Sequence, residues 1–130
     1  PPASARGVSS NVRRRKTNSG ALAVSHEALS AMAKDIRFVV FHRPGPKWDP
    51  GKSMFEQDGV REHVEHYREL LSQGRLSLGG PHLDAGGGGM MIPAAGVPED
   101  EVRHFAEADP AVRSGLLLAE VRPWLIGMSV

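Results

Sequence analysis

The stretch DGVREHVEHYRELLSQGRLSLGGP, residues 58 to 81, decides the fold because its hydrophobic period changes from helical to extended within one run. Val60, Val64, Tyr67, Leu70 and Leu71 recur at steps of three and four, which marks one buried helix face. Asp58 is the expected N-terminal cap, and Gly74 the C-terminal stop after about Gln73. Beyond it RLSLGGP, residues 75 to 81, alternates and reads as a strand.

Working outward, IRFVVFH, residues 36 to 42, is a β-branched and aromatic run and the expected first strand. The Pro- and Gly-rich RPGPKWDPGKSMFEQ after it is a loop long enough to carry function. HLDAGGGG links the second strand to a third, MMIPAAG, as a hairpin. Pro98 and Glu99 open a second helix to about Ala108. Asp109-Pro110 starts a short turn, and LLLAEVRPWLIGM is a long last strand. Pro93 and Pro123 fit edge or bulged strand positions. The order β, α, β, β, α, β defines an α+β class, the ferredoxin-like split βαβ: a four-stranded antiparallel sheet with both helices on one face.

The composition suits one folded domain. The chain has 130 residues, 40% of them hydrophobic and 24% charged, with a net charge of +1. The pI near 8.8 owes much to the local run Arg13, Arg14, Arg15 and Lys16, so nothing points to nucleic acid. With no cysteine, thiolate catalysis and cysteine-bound zinc are excluded. No apolar run approaches the roughly 20 residues that span a bilayer, so no membrane partner is expected. Residues 1–34 are rich in Pro, Ser, Gly and Arg and are read as a disordered or leader-like extension before a domain at 35–130. A basic run before an apolar segment ending in Ala31-Met32-Ala33 fits export. His26 and Glu27 interrupt that segment, so the expected location is cytoplasmic.

FVVFHRPGP, REHVEHYRELLSQGRL leading into GGP, and above all ADPAVRSGLLLAEVRPW resemble the YCII-related family over residues 36 to 126. The resemblance implies a dimeric α+β barrel, with the chain's partner a second copy of itself. It also implies a pocket between sheet and helices in which a helix-one histidine and the Asp of the Asp-Pro turn form a catalytic pair. Here these are His63 and Asp109, and the expected substrate-binding residues around them are His42, Trp48, Tyr67, Gly80 and Pro81.

The helical period supports His63 independently. At about 100° per residue it lies beside the Val60, Val64, Tyr67 stripe, whereas His66 turns toward the polar margin. An imidazole beside a carboxylate serves as a general base, with the carboxylate fixing its tautomer; the bland alternative is a hydrogen-bonded core histidine. A metal set of His63, His66, His82 and Asp84 is disfavoured because the helix turns its two imidazoles apart, leaving His66 facing solvent. Gly86 to Gly89 lacks the Lys-Ser/Thr of a phosphate loop and reads as a hairpin tip. Met90, Met91 and Trp124 read as packing. Trp48, near Arg43 and Lys47, is read as lining or lidding the pocket, with packing over the sheet edge as the alternative. No cofactor or metal is expected. Two functions stay open: a small enzyme moving protons on a small organic molecule by lyase, isomerase or hydrolase-like chemistry, or a non-catalytic module binding a small molecule or a protein.

Overall fold

The computed structural model describes residues 35–130, so the expectations for residues 1–34 lie outside the described residues. Strand β1, Ile36–Pro44, is followed by a 3-10 turn at Met54–Glu56, helix α1 at Val60–Ser72, and strands β2, Leu76–Pro81, and β3, Gly89–Pro93. Helix α2, Glu99–Glu107, the single-turn helix α3, Pro110–Ser114, and strand β4, Leu117–Leu125, complete the chain. The sheet order β2-β3-β1-β4 is antiparallel throughout, which is the ferredoxin-like arrangement. No helix among the described residues is long and apolar enough to cross a membrane.

Register decides which side chains meet the helices. Val40 pairs with Val121 and Met91, and Val40 and Val121 pack with Val97, Val102 and Ala106 in the main core. Two residues on from Val40 the same strand face presents His42, so the histidine enters at the end of an apolar row. Tyr67, Leu70 and Leu76 form a second cluster; Ala111, Leu116 and Leu117 form a third. Pro123 lies on edge strand β4, where its missing N–H costs no ladder bond on the outer side. Pro93 ends β3 opposite Leu76, beside a register shift in β2.

The ends of α1 differ in how well the sequence foretells them. Gly74 (φ 73°) stops the helix as expected: its N–H donates to the Leu71 carbonyl, and the Arg75 N–H donates to that of Leu70. At the other end Asp58 is not the cap. Gly59 takes that place with φ 99° and no side-chain cap bond, because a left-handed turn, open to glycine without strain, carries the chain into the helix. The stripe on α1 also divides. Tyr67 and Leu70 are buried, whereas Val64 and Leu71 remain 39% and 50% exposed.

Candidate active site

Three elements deliver three buried polar side chains to one point. His63, on the inward face of α1, donates through Nδ1 to Oδ2 of Asp109 at 2.6 Å. Asp109 is wholly buried and caps α3, its Oδ1 accepting the Ala111 N–H at 2.9 Å. Pro110 at the first helical position favours this cap, since its missing N–H leaves no donor to satisfy. Both carboxylate oxygens are therefore committed, and the bond to Ala111 fixes which oxygen faces His63. A carboxylate accepts only, so Nδ1 carries the hydrogen of this bond, and in the neutral imidazole the lone pair lies on Nε2.

His42 approaches from β1. Its Nε2 lies 3.7 Å from Asp109 Oδ2, too far for a hydrogen bond, and 3.5 Å from the Tyr67 hydroxyl, at the outer limit of one. Its Nδ1 is buried with no hydrogen-bond partner among the described residues. Burial, reinforced by the neighbouring His63, pushes the His42 pKa from 6.5 down to about 4 against the opposing pull of Asp109. His42 is therefore neutral near pH 7, and its closeness to Asp109 is not an ion pair there. Burial, and then the charge of Asp109, raises the Tyr67 hydroxyl well above the usual phenol value, so it stays protonated and able to donate. The rings of His42, His63 and Tyr67 meet edge to face, with centroids 4.9 to 5.5 Å apart.

These groups border a cavity of about 460 Å³ between α1, the 3-10 turn and the β2–β3 hairpin. Its walls are chiefly apolar, with Phe55, Val64, Leu71, Leu78, Met90 and Met91 among them. Of the residues named from sequence, His42, His63, Tyr67, Gly80 and Pro81 border this space. Asp109 lies behind His63 rather than at the wall. Trp48 is elsewhere, packed on the Ala111, Leu116, Leu117 cluster and close to Gly87. His66 does not face solvent: it is half-buried, stacked on Phe105 at 4.0 Å, with Nε2 donating to the Phe105 carbonyl at 2.7 Å. The helix turns the imidazoles of His63 and His66 apart as its period requires, but α2 covers the second.

Sequence reasoning missed Met54, Phe55 and Arg68 at this cavity. Arg68 had a readable signal, since it continues the Val60, Val64 series by one more helical step. It also missed His42 as a close neighbour of Asp109, a contact that depends on strand register.

Among the described residues, His42, His63 and Asp109 form one group able to offer three metal-ligand atoms, all within 4.8 Å. Their geometry suits a hydrogen-bonded network better. The 2.6 Å contact is a hydrogen bond that already uses His63 Nδ1 and Asp109 Oδ2. A metal-bound histidine normally donates its second ring nitrogen to a fixed acceptor, and His42 Nδ1 has none among the described residues.

Fold and site together define a small α+β protein with a carboxylate-held histidine at the base of an apolar cavity. The model of the YCII-related domain matches residues 25–125, and the chain belongs to that family. It is similar to the uncharacterised protein YjpA of Bacillus subtilis, with 34% identity over 70 residues covering 54% of this chain and 80% of that protein. No solved structure matches it.

Proposed function

We propose that the chain is an enzyme of general acid–base chemistry, with His63 as the base that takes a proton from a small organic molecule in the cavity. The observation that supports this most is the 2.6 Å bond from His63 Nδ1 to a buried carboxylate whose other oxygen is engaged. That bond orients the ring, leaves Nε2 basic and stabilises the imidazolium that forms. Tyr67, held protonated beside His63, is placed to donate to an oxygen on which charge collects as the proton leaves. His42 stays neutral and completes a polar base in otherwise apolar walls.

A substrate-independent assay tests this reading. Small carbonyl and phenolic compounds are incubated with the protein in D2O, and loss of their C–H signals is followed by NMR. At least one compound is expected to exchange faster than in buffer, with His63→Gln lowering the rate 10²-fold or more, about the value of a positioned base. Compounds that bind but never exchange would make this a binding protein.

The same reading includes a homodimer. Leu118 and Trp124, on the sheet face opposite Val121, are 41% and 44% exposed, and a second sheet would cover them. Light scattering is expected to give twice the chain mass; a concentration-independent monomer would contradict this.

A further inference from the structure

We infer that the cavity takes a small, largely apolar carboxylic acid, bound with its carboxylate at Arg68 and its reacting end at His63. The inference rests on the acid–base reading for the reacting end only; the anion position has its own evidence. Among the described residues no acidic side chain lines the cavity, and the one side chain there with a permanent charge is Arg68. Arg68 forms no ion pair within the described residues, although α1 also carries Glu62, Glu65 and Glu69.

The helix explains that separation. At 100° per residue, His63, Tyr67, Val60, Leu71, Val64 and Arg68 fill one continuous arc of about 140°, and all six border the cavity. The three glutamates fall outside this arc. A guanidinium beside Val64 and Leu71, with no acidic partner among the described residues, is a planar donor fork at an apolar wall, which suits a carboxylate.

Charge also sets the direction of binding. Asp109 lies behind His63, so an anionic group at that end of the cavity meets a like charge, whereas at the Arg68 end it meets an opposite one. His63 and Arg68 are five residues apart, or about 7.5 Å along the helix axis. The labile proton of the substrate should therefore lie several bonds from its carboxylate, with apolar atoms between them against Val64, Leu71 and Met90. The volume is within the usual range for small-ligand sites.

The test uses benzoate, phenylacetate and 3-phenylpropionate against their primary amides, with binding to the whole chain measured by NMR titration. At least one acid is expected to bind about tenfold more tightly than its amide, as a charge-assisted pair allows. Arg68→Met should abolish that contrast, Arg68→Lys should keep part of it, and His63→Gln should leave it in place. Arg68 is exposed, so its variants should keep the parent melting temperature. Equal binding of acids and amides, a contrast that survives Arg68→Met, or no binding of any acid at 10 mM would each overturn the proposal. A contrast that depends on Arg68 in a protein that exchanges no proton would uphold the anion site and contradict the acid–base reading.

Discussion

Asp109→Ala is expected to cost about 3 kcal/mol of stability and to lower the melting temperature by roughly 15 °C in a domain of this size. The residue is wholly buried, and its loss removes two bonds at once. The α3 cap contributes about 1 kcal/mol. The rest comes from leaving the His63 Nδ1–H buried without an acceptor. Thermal unfolding followed by circular dichroism measures this, and a loss below about 1 kcal/mol would mean that the carboxylate is not what holds α1 to α3 here. Asp109→Asn separates structure from chemistry. The Ala111 N–H requires an oxygen, so the amide NH2 must face His63 and donate to Nδ1. The cap survives and the stability loss is smaller. The imidazole is forced to carry its proton on Nε2, however, so deuterium exchange by His63 should fall by two or more orders of magnitude.

The second large effect is acid lability centred on His42. Its pKa is about 4 in the folded chain and 6.5 when unfolded, so between these values the unfolded chain binds the extra proton. A depressed pKa of this kind contributes stability that is fully present above pH 6.5 and is lost as the pH falls toward 4. The difference amounts to about 3 kcal/mol. His63 and the Tyr67 hydroxyl stand around the ring, with His66 further off and Asp109 the one anion near it among the described residues. Other carboxylates titrate in the same window, so the measurement is a comparison. From pH 7 to pH 4 the parent should lose about 3 kcal/mol more than His42→Phe, which has no proton to gain. Parallel curves for the two proteins would show that His42 ionises freely in the folded state.

Much of this architecture can be read from local sequence. The period of Val60 to Leu71, the stop at Gly74 and the Asp109-Pro110 turn are all short-range signals, and each reappears in the structure at the expected residues. The inward placement of His63 follows from the same period, and it is 3% exposed. What escaped the sequence depends on which elements touch. Asp58 is a good capping residue by type, but the left-handed turn at Gly59 takes the chain past it. Val64 and Leu71 look like core positions on a helical wheel and instead wall a cavity, because period reports a face and not what lies opposite it. Trp48 sits in a loop whose course no periodicity fixes, and it packs beside α3. The neutrality of His42 required knowing that β1 carries it to within 4 Å of Asp109 and Tyr67, deep enough for desolvation to outweigh the carboxylate.

The protonation of the two His63 ring nitrogens, read from 15N chemical shifts and two-bond couplings in labelled protein near pH 7, tests most directly whether Asp109 sets His63 as a base. In the neutral ring of the parent, Nδ1 should carry the proton and Nε2 should be bare; in the neutral ring of Asp109→Asn the two should exchange roles. A parent His63 with a bare Nδ1 and a protonated Nε2, or a tautomer that the substitution leaves unchanged, would contradict the pairing and with it the assignment of His63 as the base.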